Sequence, residues 1–172
     1  MIRSFKGIEP QIGEGTYIDE AAVVIGDVVI GEECSVWPMT AIRGDVNIIR
    51  IGNRTNIQDG SVLHVSHQGE FNPTGAELHI GDGVTVAHKV LLHGCQIGNQ
   101  CLIGMGSIIM NNAVIEDRVM VGSGSLVTPG KVLESGYLYL GNPARRAREL
   151  TDREIEMLSY LSEHYIKLKN EY

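Results

Sequence analysis

The chain has 172 residues and a formal net charge of −7. That length suits one domain with a substantial core, and that charge argues against a nucleic-acid partner, whose phosphates require a basic footprint. Aromatics at 5% and 21 glycines disfavour a bundle or a sandwich and suggest many short strands around a thin core. Three cysteines, Cys34, Cys95 and Cys101, with no CxxC, are expected to be small buried thiols in a reducing cytoplasm rather than a disulfide framework. No N-terminal apolar run resembles a leader, and none reaches the roughly 20 residues of a transmembrane helix, so no membrane contact is expected.

From Ile12 onward an aliphatic residue recurs every six positions. The series runs Ile12, Ile18, Val24, Ile30, Val36, Ile42, then Ile51, Ile57, Leu63, then Ile80, Val86, Leu92, and finally Ile97, Ile103, Ile109, Ile115, Val121, Val127. The fifth position of each unit is mostly small or β-branched, as at Thr16, Ala22, Cys34, Thr55, Ser61, Cys101 and Ser125. A period of six fits neither an amphipathic helix nor a hairpin ladder, and it does fit a parallel β-helix in which three short strands form one triangular rung. Successive rungs stack at about 4.8 Å, and every aliphatic residue of the series points inward. An all-β solenoid is therefore predicted over 1–150. The phase breaks fall between triplets. Three extra residues separate Ile42 from Ile51, and eleven separate Leu63 from Ile80, the latter placing an external loop at about 67–77. In the terminal segment, 151–172, Thr151 and Glu154 form a capping box ahead of Ile155, Leu158, Leu161, Tyr165 and Leu168. This predicts an amphipathic helix packed on the coil.

Stacked rungs turn sequence positions into columns. On the third face, the position after the aliphatic reads Arg43, His64, His93, which makes the two histidines vertical neighbours. On the second face His88 falls above Asp59, beside Gln58, and on a different side of the prism. Two imidazoles on adjacent rungs can supply two ligands to one metal ion. His88 joins them only if the second face of one coil packs against the third face of another. Such a heterologous contact closes into a ring, and a triangular prism predicts a homotrimer with a three-histidine metal site at each interface. His79 and His164 read as ordinary surface residues.

With those residues in place, the chain resembles the γ-class carbonic anhydrases. The resemblance is carried by IRGDV at Ile42 to Val46, NIQDGSVLH at Asn56 to His64 and VAHKVLLHGC at Val86 to Cys95, and it extends over almost the whole chain. It implies a left-handed β-helix, a trimer, and a zinc ion (or Co²⁺ or Fe²⁺) held by His64 and His93 of one subunit and His88 of its neighbour. It implies reversible hydration of CO2 to bicarbonate by a metal-activated water. It assigns Arg43 and Asp45 to an ion pair at the subunit interface, Gln58 and Asp59 to orienting solvent or bracing the interface, and Asn56 to a polar position near the site. Two positions depart from the family's active members, where glutamates implicated in proton transfer stand at what are here Val46 and His67. His67, an imidazole near neutrality, is the remaining candidate for that role, and weak activity is expected without it. The competing functions are metal-dependent thioester hydrolysis, CoA-dependent acyl transfer of the hexapeptide type, and a non-catalytic trimeric metal-binding scaffold.

Overall fold

The computed structural model describes residues 1–172. The six-residue period is realised as a left-handed parallel β-helix with three faces and a single C-terminal helix. The second face is an eight-stranded sheet that starts at Tyr17–Ile18 and rises through Ser35–Val36, Asn56–Ile57, Thr85–Val86, Leu102–Ile103 and Met120–Val121 to Tyr137–Leu140 and Arg145–Glu149. The first and third faces are joined in one twelve-stranded sheet because two long strands, Val23–Ile30 and Ala41–Ile51, run unbroken around the corner between them.

The inward column on each face is the aliphatic series read from the sequence. Ile51, Ile80 and Ile97 on the first face, Ile57, Val86 and Ile103 on the second, and Ile42, Leu63 and Leu92 on the third are all at most 4% exposed. Each such side chain contributes on the order of 1.5–3 kcal/mol on burial. The corners are tight, and side chains there must be small. Thr55 donates its hydroxyl to the Gly81 carbonyl and accepts from the Val84 amide, while the Cys34 thiol lies 3.0 Å from the Gly52 carbonyl. All three cysteines are free and buried, and burial pushes the Cys95 and Cys101 thiols up to about 12.

The two insertions take different forms. The three extra residues after Ile42 stay inside strand Ala41–Ile51 as a bulge: Gly26 pairs with Gly44 and Val28 with Ile49, so Asp45 to Ile48 arch outward at the corner. The longer insertion is a small hairpin, closed at its base by mutual backbone bonds between Ser66 and Ala76 and nearer the tip between Gly69 and Asn72. Phe71 at its tip is 97% exposed.

Two end structures lie outside the repeat. Strand Ile2–Arg3 pairs in parallel with Val24–Ile25 and extends the third face downward. At the upper end the chain reverses after Leu140, and Arg145–Glu149 returns antiparallel to Tyr137–Leu140 with every side chain exposed. The helix spans Asp152–Lys169, and its reciprocal capping box joins Thr151 and Glu154. It lies over the second face, against Ser35–Val36 and Thr85–Val86. Trp37 meets Tyr165 and Tyr172 edge-on, Ser162 donates to the Arg54 carbonyl at 2.6 Å, and Lys169 pairs with Glu33 at 2.9 Å. No helix is long and apolar enough to cross a membrane.

Candidate metal centre

Strands Val62–His64 and Leu91–His93 pair with Leu63 opposite Leu92 and His64 opposite His93. The leucines point into the core, so the residues after them point out of the third face. The column reading is therefore realised residue for residue. The two imidazole rings are 5.1 Å apart at 61°, and His64 Nδ1 faces His93 Nε2 at 3.1 Å.

The opposite nitrogen of each ring is already engaged. His64 Nε2 lies 3.1 Å from Asp45 Oδ1, and the other oxygen of Asp45 accepts from Arg43. His93 Nδ1 lies 2.6 Å from Asn111 Oδ1. Burial is the main reason the His64 imidazole titrates below its ordinary value; Asp45 opposes that effect, and Arg43 and His93 add to it. Burial acting alone would raise Asp45, but hydrogen bonds from Arg43 and His64 outweigh it and hold the carboxyl below the usual range. So Asp45 is a carboxylate and His64 a neutral ring that donates Nε2–H to it, leaving the lone pair on Nδ1. Asn111 presents its carbonyl oxygen to His93, so Nδ1 carries the proton there and the lone pair is on Nε2.

With these tautomers two ring acceptors face each other at 3.1 Å, an arrangement that a cation or a proton between them relieves. Two ligands on one tetrahedral ion, each bonded at about 2.1 Å, sit roughly 3.4 Å apart. The pair therefore fits a divalent metal. A ligating histidine whose second nitrogen donates to a carboxylate or carbonyl is also the usual outer-sphere arrangement of protein metal sites.

His88 has the same outfit in a different place. It sits at the corner after Ala87, where Lys89 turns the chain with φ of 57°. Its Nδ1 lies 3.0 Å from Asp59 Oδ2, one rung below, as the column reading placed it. Its Nε2 has no partner in the chain, and about half of the side chain is exposed. Within one chain no three His, Cys, Asp or Glu side chains converge; His64 and His93 come together, and His88 stands apart from them.

The remaining sequence candidates separate into three groups. Arg43 and Asp45 form an ion pair within the chain, two positions apart on strand Ala41–Ile51. Asn56 and Gln58 are buried on the second face: Gln58 Nε2 donates to Asn56 Oδ1 at 3.0 Å, and Asn56 Nδ2 donates to Thr85 Oγ1 at 2.9 Å. Gln58 hydrogen-bonds to none of the three histidines. His67 is exposed on the first turn of the hairpin, beside Gly69, and makes no hydrogen bond to His64 or His93. Val46 is 45% exposed on the bulge and holds no proton to give. The residue that the sequence did not announce is Asn111. It is one side chain beyond the Met110 column position, and only the three-dimensional stack reveals its reach down to His93.

The sequence pattern described as bacterial transferase hexapeptide (six repeats) matches residues 9–44 and 94–129. Over its full length the chain is 53% identical to protein YrdA of Escherichia coli, covering 94% of that protein. It is 47% identical to a carbonic anhydrase of Geobacillus kaustophilus, over 97% of this chain and 88% of the other. An X-ray structure of a putative acetyltransferase from Bacillus cereus superimposes with a TM-score of 0.93 at 40% identity, covering 100% of this chain and 96% of that one. Identity at that level along the whole coil, insertions included, is what separates this chain from proteins that share only its period: it belongs to the γ-carbonic-anhydrase-like family of hexapeptide-repeat proteins.

Proposed function

We propose that the chain is a metal-dependent carbonic anhydrase of the γ class, interconverting CO2 and bicarbonate as a homotrimer with one site at each subunit interface. The observation that carries this reading is the pair of ring nitrogens, His64 Nδ1 and His93 Nε2, facing each other at 3.1 Å, each ring fixed from behind by Asp45 or Asn111. His88, oriented by Asp59 with its Nε2 free on another face, supplies the third ligand to a neighbour's pair. Zinc suits three neutral imidazoles, and Co²⁺ or Fe²⁺ would be held by the same atoms. When bound, such an ion supplies Lewis-acid activation of water near neutral pH.

The chain's own groups then divide the work. Asp45 and Arg43 fix the ring of His64, Asn111 fixes that of His93, and Asp59 that of His88. Asn56 and Gln58 brace the buried second face behind the His88 corner. Moving a proton from the site to solvent has no dedicated relay, because Val46 cannot titrate and His67 is turned towards solvent. A positioned acid–base group contributes about 10²–10⁴-fold, so hydration is expected to be slow for this class, and His67→Ala is expected to change it little. Three free buried thiols suit a reducing compartment, the cytoplasm.

The Bacillus cereus likeness supports a second reading, CoA-dependent acyl transfer with a histidine as base. The facing lone pairs weigh against it, since a general base needs no second imidazole aimed at its own lone pair. One experiment separates the two. Protein purified without chelator is assayed for metal, for sedimentation and for stopped-flow CO2 hydration, with His93→Ala and His88→Ala alongside. Equimolar metal, a trimer and hydration lost in both variants is the expected result. A metal-free, acyl-CoA-consuming wild type would overturn it, and so would a fully metallated monomer.

A further inference from the structure

The insertions after Ile42 and after Leu63 meet at one residue, Ser66. Its carbonyl accepts from Asn47 Nδ2 at 3.1 Å, and Asn47 belongs to the corner bulge that also carries Asp45. Its hydroxyl accepts from Asn111 Nδ2 at 2.9 Å, and the other end of that amide holds His93. Its backbone is locked to Ala76 at the foot of the hairpin. Ala76 in turn packs on Gly94, the residue after His93, so closely that a Cβ there would lie 2.6 Å from the alanine methyl and 2.9 Å from Asn111 Oδ1. The hairpin base is thus wedged between the support of His64 and the support of His93.

We infer that Ser66 and Asn111 are positioning residues for the metal site: Asn111 orients the His93 ring so that Nε2 faces His64, Ser66 holds that amide in place, and this Ser66–Asn111–His93 relay makes the 66–76 hairpin part of the metal-binding apparatus. The proposal rests on the reading of His93 as a ligand. An amide has two chemically different ends. With Nδ2 spent on Ser66, Asn111 offers only its oxygen to His93, which forces Nδ1–H and frees Nε2 for metal. Turned over, the same amide would offer a donor, draw the lone pair to Nδ1 and leave Nε2 protonated, a form that binds no ion on that side. The Ser66 hydroxyl, which can accept or donate, holds the amide within reach of His93 rather than choosing its end, and Asn47 holds Ser66 through its backbone carbonyl. His67 and Phe71, exposed further out on the same hairpin, are peripheral to this relay.

The test uses the whole chain and Zn²⁺ affinity measured by chelator competition, with thermal unfolding of each variant as a check on folding. Asn111→Ala is expected to weaken Zn²⁺ binding by about 10–100-fold, the usual cost of losing such a partner. Asn111→Asp, which accepts through either oxygen, is expected to bind at least as tightly as wild type. Ser66→Ala is expected to weaken binding when residue 111 is Asn and to add nothing further in the Asn111→Ala background, where no side chain remains for Ser66 to hold. A merely structural serine would give the same loss in both backgrounds, and that result overturns the proposal. So does wild-type affinity in Asn111→Ala. His93→Ala run in parallel keeps the two readings apart: if it too retains Zn²⁺, the site itself is wrong, whereas loss in His93→Ala with full binding in Asn111→Ala rejects only the relay.

Discussion

Between Ala41 and His93 the coil is interrupted twice, and between Ile97 and Leu133 it is not interrupted at all. Both regions have the same inward columns, buried to the same degree. They differ in what the outward side chains can do. In the regular region the third-face column continues as Met110 and Thr128, which face outward with nothing arranged behind them. In the interrupted region the same column holds His64 and His93, and each insertion helps to orient one of them: Asp45 from the corner bulge bonds His64 directly, and Ser66 from the hairpin holds Asn111, which reaches His93 from the regular region. The repeat sets the height and face of a side chain. The rotation of the two column histidines is set by groups from outside the column, one of them supplied and the other held by an insertion.

Substitutions in the two regions should therefore fail differently. The largest expected effect lies in the regular region. Ile103→Ala removes a side chain with no exposure and should cost about 2–5 kcal/mol of stability in denaturant unfolding, with Zn²⁺ affinity unchanged under conditions where the variant stays folded. Loss of metal affinity comparable to His93→Ala would erase the distinction drawn here. A matched pair of glycines sharpens it. Gly94 and Gly124 both sit in the left-handed region, with φ of 55° and 70°. A Cβ at Gly124 meets nothing within 4 Å, while one at Gly94 runs into Ala76 and Asn111. Gly124→Ala should cost about 1–2 kcal/mol for its backbone conformation alone. Gly94→Ala should cost a further 1–3 kcal/mol or so from overpacking, with metal affinity reduced as well. Equal costs would mean that the hairpin base yields freely.

The smallest effect concerns the helix, which belongs to neither region. The hydrogen bonds from Arg148, then those from the Thr151 backbone and hydroxyl, hold the Glu154 carboxyl at about 2, well below its ordinary 4.5. A carboxylate depressed by folding stabilises the folded state above its unfolded value, and that contribution disappears as the pH falls through the folded one. The helical far-ultraviolet signal should thus weaken between about pH 4.5 and pH 2, and Glu154→Gln should flatten that dependence. A transition unchanged in Glu154→Gln would assign the acid response elsewhere.

Much of this was legible in the sequence, because a strict period converts distance along the chain into height along the coil. Leu63 and Leu92 share a column, so His64 and His93 had to be neighbours, and the register bears that out. His88 above Asp59 was legible in the same way. What escaped was whatever the period does not govern. Asn111 and Ser66 are 45 residues apart, and each alone looks like a solvated turn residue. The reach of Asp45 to His64 depends on how a three-residue excess is absorbed, which a count of residues cannot tell. The terminal hairpin was lost where Gly141, Asn142 and Pro143 break the phase and turn the chain back.

That terminal hairpin has a consequence for assembly. A parallel coil is by construction open to growth, since its uppermost rung offers free backbone groups to any further strand running the same way. On the second face the last strand, Arg145–Glu149, runs the opposite way and bears Arg145, Arg146, Arg148 and Glu149, all exposed. A second coil adding its parallel strands end-on meets a strand of reversed polarity, whose Arg146 and Arg148 are already paired with Glu134 and Glu154. The chain carries its own terminator, and filament formation along the coil axis is closed off on that side by five residues.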